Sequence, residues 1–419
     1  MLLVAIFFLG YLAIVFEHPL AINKSASALL VGVACWTVHV AGGDWHVVNA
    51  QLAHHMGELS QILFFLLGAM TIVELIDAHD GFDLITSRIT TLDRRALLAA
   101  IAALAFVLSA VLDNLTTAIV MVTLVRKLVG DEGDRRFYAG VVVIAANSGG
   151  VWSPIGDVTT TMLWVGEQVT TTTLSTRLIV PALVSVVVPV AWIGFRMKGK
   201  LAPRPRDPTP STTTTLRERR VVLFAGLGVL LFVPVWKTVT QLPPFLGILL
   251  GLGALWAVTE IIHKKKNDEG RGALSVGGAL QRIDAPSILF FLGILLAIGA
   301  LDSAGILTRL ARGLDDALGN RDAITLVIGL SSAVIDNVPL VAAAQGMYPL
   351  STLPTDHGFW IFLAYCAGTG GSILIIGSAA GVAVMGIQRI AFTWYLRHIS
   401  LPALAGYAAG AATYLAMAA

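Results

Sequence analysis

SAVLDN at residues 109–114 and SAVIDN at residues 332–337 are nearly the same hexapeptide, 223 positions apart in a chain of 419 residues. What a repeated Asp-Asn pair means depends on the solvent around it. The chain is 56% hydrophobic and only 13% charged, with a mean hydropathy of +0.80, far beyond soluble norms. Apolar runs at 2–16, 26–40, 62–73, 179–195, 221–235, 245–262 and 288–300 fill most of it, and about twelve hydrophobic units of membrane-crossing or near-crossing length can be counted. The expectation is an all-α polytopic membrane protein in which both hexapeptides lie inside the apolar layer.

The remaining composition excludes several classes. A net charge of +2, with Lys and Arg in short loops rather than on one face, gives no footing for a nucleic-acid partner. Cys35 and Cys366 lie far apart in apolar segments, so neither a disulfide framework nor a Cys-rich metal site is supported. The first apolar run lacks a basic region ahead of it and reads as a transmembrane helix rather than a signal peptide.

The hexapeptides belong to a longer duplication. Phe64-Phe65-Leu66 and Phe290-Phe291-Leu292 are each expected to begin an apolar helix, followed by a charged loop, the Asp-Asn segment and a glycine-rich break. The breaks read NSGGVWSPIGDVTT (147–160) and GTGGSILIIGSAAG (368–381), sharing Gly149/Gly370, Gly150/Gly371, Ile155/Ile376 and Gly156/Gly377, and the three pairs of segments are offset by 226, 223 and 221 positions. The seam is the Pro-, Thr- and Arg-rich stretch 198–220, so the expected units are a first transmembrane repeat at 1–197, a cytoplasmic linker at 198–220 and a second repeat at 221–419.

From Arg94 to Val129 the apolar stretch is too long for one helix and is interrupted by Asp113-Asn114, which fits a re-entrant hairpin. A hairpin that returns to its own side leaves five crossings per half, an odd number. The second half is then inverted, and each half has a re-entrant hairpin and a discontinuous transmembrane helix. Lys24, the Arg88/Arg94/Arg95 and Arg126/Lys127/Arg135/Arg136 loops, the linker and 263–266 fall on one face, the cytoplasmic one by the positive-inside rule. The loops expected at 42–57, 166–173 and 347–358 contain no Lys or Arg, whereas Arg309, Arg312 and Arg321 are discordant.

A carboxylate at the hydrophobic midplane costs roughly 2.5–3.5 kcal/mol on insertion scales, so intramembrane acids default to function. Glu74, Asp113, Asp157 and Asp336 are the most deeply set. Tips entering from opposite faces meet near the middle, each facing a break: Asn147-Ser148-Gly149-Gly150 and Gly368-Thr369-Gly370-Gly371. Carbonyls, hydroxyls, amides and a few carboxylates suit a hard cation. The halves differ, because Asp157 with Thr159-Thr160-Thr161 is matched by Ser378 and Ala379-Ala380.

At these residues the chain resembles the NhaD-type sodium/proton antiporters of the ion transporter superfamily, which also includes arsenite permeases and dicarboxylate carriers. The resemblance spans nearly the whole chain and is sharpest at NSGGVWSPIGDVTT. It implies exchange of external protons for internal Na⁺ or Li⁺, an inverted-repeat fold with two re-entrant hairpins, and a homodimer in the lipid bilayer, with a bacterial inner membrane expected. It implies a cation site at Asp113, Asn114, Asn147, Asp157, Thr159, Thr160, Asp336, Asn337 and Thr369, with Glu74, Ser109, Ser332 and Ser372 in transport or proton coupling. No enzymatic activity and no cofactor beyond the transported ions are expected.

Blander readings stand beside this one. Ser109, Thr160, Ser332 and Ser372 are residue types that also serve as packing glue in membrane helices. Glu74 could pair with a buried polar group, and His54-His55 with Asp44 lack a third well-spaced metal ligand. An arsenite/antimonite or other anion permease would share the skeleton, but Asp157 with its threonines argues for a cation. An intramembrane aspartyl protease expects a Gly-x-Gly-Asp setting, whereas Asp157 follows Pro154-Ile155-Gly156, and a channel suits a duplicated core with gated breaks least. Carboxylates crowded in a low-dielectric site resist all being charged at once, so one among Asp113, Asp157 and Asp336 can hold a proton that Na⁺ displaces.

Overall fold

A computed structural model describes residues 2–15, 22–86, 91–201, 214–264, 272 and 274–418. Arg88, Lys265, Lys266 and residues 202–213 of the expected linker lie outside the described residues. The helices that build the fold are α1 (Leu2–Val15), α2 (Lys24–Ala41), α3 (Trp45–Ala78), α4 (Arg94–Leu112), α5 (Asn114–Leu128), α6 (Glu132–Gly150), α7 (Val158–Val165) and α8 (Thr171–Arg196) in the first half. They continue as α9 (Leu216–Thr240), α10 (Pro244–His263), α11 (Ala285–Ser303), α12 (Ile306–Leu318), α13 (Arg321–Ser331), α14 (Asn337–Met347), α15 (Gly358–Gly370), α16 (Ala379–Gln388) and α17 (Ser400–Ala418). Among the described residues, eight helices are long and apolar enough to cross a membrane, with shorter apolar helices beside them, and the protein is an all-α polytopic membrane protein.

Two helices sit at the centre. Every residue of α6 from Tyr138 to Gly150 is buried, as is every residue of α15 from Phe359 to Gly370. A helix buried on all sides must be small or apolar almost all round, and both segments are, apart from a few hydrogen-bonded polar side chains such as Asn147 and Thr369. Helix α4 packs on α6, and α13 packs on α15. Gly149 and Gly370 permit these crossings. A Cβ at Gly149 would stand 2.2 Å from the Phe106 carbonyl oxygen, and one at Gly370 would stand 2.0 Å from that of Gly329. The bridging bonds correspond as well: Ser109 Oγ donates to Ala146 O at 2.5 Å, and Ser332 Oγ donates to Ala367 O at 2.7 Å. The repeated sequence is thus matched by repeated packing at offsets of 223 and 221 positions.

Two boundaries differ from expectation. Helix α3 is 34 residues long, so Phe64 lies in its middle rather than at its start, and positions 45–57 are helical rather than a loop. Asp44 caps it by accepting from the His46 amide at 2.8 Å, and the polar His, Gln and Glu side chains that suggest a loop are carried on its first turns. The C-terminal part of the expected linker is also helical. Helix α9 begins at Leu216 behind a reciprocal cap in which Glu218 accepts from the Thr215 amide and Thr215 Oγ1 from the Glu218 amide.

Candidate functional site

Asp113 and Asp336 each sit where a helix is interrupted, but the two interruptions differ. Helix α4 runs directly to Leu112, and Asp113 then takes φ +83° before α5 begins. A non-glycine residue in that region is strained by on the order of 1–3 kcal/mol. Its carboxylate offsets this by capping α5, accepting from the Thr116 amide and from Thr116 Oγ1, both at 2.8 Å. Asp336 has an ordinary φ of −50° and caps α14 by accepting from the Val338 amide at 3.2 Å.

The breaks fall later than expected: Asn147–Gly150 and Gly368–Gly370 are still helical, and between α6 and α7 the chain unwinds over 151–157 and restarts at Asp157, the N-cap of α7. Asp157 is 1% exposed, and four donors converge on its two oxygens. Oδ1 accepts from the Thr159 amide at 2.8 Å, Thr159 Oγ1 at 2.6 Å and Asn337 Nδ2 at 3.5 Å. Oδ2 accepts from Asn114 Nδ2 at 2.5 Å. Asn114 also donates to Asn147 Oδ1 at 3.1 Å, and Asn147 Nδ2 reaches the second break, donating to Ser372 Oγ at 3.0 Å and Ser378 Oγ at 2.9 Å. One polar network therefore joins both interrupted segments to both breaks. Burial of so many polar groups is tolerable because each finds partners within the network.

The expected site residues separate by position. Asp113, Asn114, Asn147, Asp157, Thr159, Asn337, Ser372 and Asp336 come together around the breaks. Ser109 and Ser332 tie the crossing helices. Thr160 Oγ1 is committed to the Asp157 carbonyl at 2.9 Å and Thr369 Oγ1 to the Tyr365 carbonyl at 2.5 Å, each an intrahelical or capping bond. Glu74 is not brought to the network: it pairs with Arg282 Nε at 2.6 Å near the end of α3. Two contributors were missed by sequence reasoning. Ser378 was legible as the counterpart of Asp157, and Thr116 as the hydroxyl just past the first Asp-Asn pair.

Two cavities flank this network, both lined by α3, α7 and α11. One, of about 60 Å³, is lined by Asp113, Asn114, Asp157, Asp336 and Lys24, with Phe65 and Leu66 of α3 and Phe290 and Phe291 of α11 as its apolar walls. The other, of about 880 Å³, is lined by His55, Glu58 and Ile62 of α3, Met162 of α7, Leu295 and Asp302 of α11, and Gln345 of α14. All three core carboxylates line the smaller cavity. The wall between the cavities crosses α3 between Ile62 and Phe65, α7 near Thr161–Met162 and α11 between Phe291 and Leu295. His54 and His55 flank Glu58 at 3.3 and 3.6 Å, and Asp44 is occupied as a cap, so these three do not converge on a metal position.

An all-helical membrane protein with acids and amides gathered at facing helix breaks, and a cavity on either side, has the build of a membrane transporter. The family described as CitMHS, Citrate transporter, matches residues 11–358. The chain is 50% identical to "Sodium/proton antiporter 1" of Arabidopsis thaliana over 98% of its own length and 71% of the relative. It is 48% identical to "Sodium/proton antiporter 2" of the same plant, over 98% of each chain. It is 30% identical to "Na(+)/H(+) antiporter NhaD" of Alkalimonas amylolytica, over 98% of its length and 89% of the relative. The chain belongs to the citrate-transporter family and, within it, to the NhaD-type sodium/proton antiporters. Its kin occur in a plant as well as in bacteria, so kinship establishes a multi-pass membrane protein without singling out the bacterial inner membrane.

Proposed function

We propose that this protein exchanges Na⁺ or Li⁺ for H⁺ across its membrane by alternating access, with the two ions competing for the same carboxylates. The observation that carries this reading is the convergence of Asp113, Asp157 and Asp336 on one small cavity beside the amides of Asn114 and Asn147. Oxygen atoms of carboxylates and amides are suitable ligands for a hard monovalent cation. Three carboxylates sharing a low-dielectric space cannot all be charged without a counter-ion, so either a proton or a bound cation must accompany them. Loading Na⁺ then expels a proton, and exposure of the site to the two sides in turn couples the fluxes. The wall between the two cavities is the barrier that would move from one side of the carboxylates to the other.

The same reading places the two halves in opposite orientations and the Lys24 end of the smaller cavity on the cytoplasmic side, with the protein a homodimer in the bilayer. Labelling tests the orientation, because Cys35 and Cys366 are buried and give little background. Thr172→Cys should react with an impermeant maleimide from outside and Lys200→Cys from inside; labelling of both from one side rules the orientation out.

The exchange itself is tested in everted vesicles carrying a pH-sensitive dye. Na⁺ and Li⁺ should dequench a preformed proton gradient, with apparent Na⁺ affinity weakening as pH falls because protons compete for the site. K⁺, which prefers longer contacts, should do so poorly. Equal dequenching by K⁺, or dequenching by arsenite or citrate instead of Na⁺, overturns the cation reading.

A further inference from the structure

Lys24 is the one basic side chain among the described residues lining the cavity that holds Asp113, Asp157 and Asp336. The larger cavity on the other side of the wall is lined by Glu58, Glu167 and Asp302, with no Lys or Arg among its described lining residues. The lysine is not a loose surface group. It is the first residue of α2, whose start is fastened to α11 by Ser25 Oγ donating to Pro286 O at 2.7 Å and further along by Trp36 Nε1 donating to Leu296 O at 2.8 Å. Its ammonium rests over the face of Phe290, 4.7 Å from the ring centroid, and that ring is itself buried. The backbone and the aromatic platform are therefore fixed, while the four-carbon side chain remains long enough to lean toward or away from the acids.

We propose that Lys24 sets the affinity of the transported cation: a tethered positive charge at one mouth of the site that opposes the mobile ion, weakens its binding and hastens its release to that side. The inference rests on the antiport reading for what the site carries, and on the cavity lining for where the charge sits. A fixed ammonium cannot leave with the substrate, so it lowers the occupancy of the carboxylates and favours release, whereas the acid- and histidine-lined cavity opposite attracts cations. For unit charges on the order of 10 Å apart at an effective dielectric of about 20, the interaction changes affinity on the order of tenfold.

The experiment compares wild type, Lys24→Gln and Lys24→Arg, each purified in detergent and checked for a monodisperse elution profile. Binding of radioactive Na⁺ is measured at one alkaline pH, and Na⁺-driven proton movement in everted vesicles at the same pH. Lys24→Gln should tighten the Na⁺ Kd on the order of tenfold, lower KM and lower the maximal exchange rate, since release slows. Lys24→Arg keeps the charge and should track wild type. Equal Kd values for wild type and Lys24→Gln, or no Na⁺ binding by either, overturn the inference. If Lys24→Gln tightens Na⁺ binding but wild type moves no protons, the role of Lys24 stands and the antiport reading falls.

Discussion

Gly149→Ala tests the crossing on which the whole site depends. The added Cβ would meet the Phe106 carbonyl oxygen at 2.2 Å and the Phe106 C and Cα at 2.8 Å. All three are backbone atoms in the middle of α4 and cannot swing aside as a side-chain tip would. To restore ordinary contact near 3.4 Å, α6 must retreat from α4 by about 1.2 Å. Taken along the same direction, that retreat lengthens the Ser109 Oγ to Ala146 O bond from 2.5 Å to about 3.7 Å, beyond the ~3.5 Å at which a hydrogen bond ceases to be one. Overpacking costs about 1–3 kcal/mol and a lost buried hydrogen bond about 1–2 kcal/mol, so the variant should be destabilised by about 2–5 kcal/mol. It should also exchange ions poorly, because Asn147 and Asp157 move with α6 relative to Asn114. Thermal unfolding in detergent followed by Trp fluorescence measures the first effect and vesicle dequenching the second. Gly253→Ala is the control, since a Cβ there meets nothing within 4 Å. If Gly149→Ala melts with Gly253→Ala and exchanges ions at the wild-type rate, the backbone-to-backbone crossing is not what holds the site.

Asp157→Asn retains the shape of the N-cap but removes the charge, and should abolish Na⁺-dependent proton movement while leaving the protein inserted; an unaltered pH profile in vesicles defeats shared-carboxylate competition. Asn147→Ala deprives Asn114, Ser372 and Ser378 of their common partner, so Na⁺ binding should weaken by about 1–3 kcal/mol, roughly five- to a hundredfold, read from radioactive Na⁺ titration. Glu74→Gln removes only a partly exposed pair with Arg282; it should cost under about 1 kcal/mol and leave the Na⁺ KM unaltered, and a large KM change would bring Glu74 back into the transport path.

The parts of this structure that were legible in the sequence are those where polarity contradicts the membrane. Asp113-Asn114 within an apolar run marked a helix interruption because no continuous lipid-facing helix would retain them, and NSGGVWSPIGD marked a break, although the helix runs on through Asn147–Gly150 and opens only over the following VWSPIGD. Other features gave the opposite signal to their role. The polar residues at 45–57 look like a loop, yet they lie on a helix, and Gln51, His54 and His55 among them wall the large cavity. Lys24 reads as a topological charge at a helix end, and only the pairing of α2 with α11, 261 residues apart at Ser25 and Pro286, brings it to the acids. Glu74 is set in apolar sequence, but its partner Arg282 is 208 residues away and no local pattern announces it.

The inequality of the two halves bears on how many cations the proposed antiport would load at once. At an offset of 221, Asn147 corresponds to Gly368 and Asp157 to Ser378. Position 368 has no room for an asparagine, since even a Cβ there would stand 2.2 Å from Val151 Cγ1, and Val151 is fully buried. Nor is a second amide needed at the second break, because Asn147 itself crosses over and binds Ser372 and Ser378. The second Asp-Asn pair crosses in the other direction, with Asn337 donating to Asp157. Each half therefore gives its polar groups to a common centre rather than completing a copy of its own. Two complete sites would require a second carboxylate where Ser378 stands and a second asparagine where Gly368 stands. With neither present, the antiport proposed above calls for one cation site assembled across the duplication, with Asp157 as its anchor, rather than two.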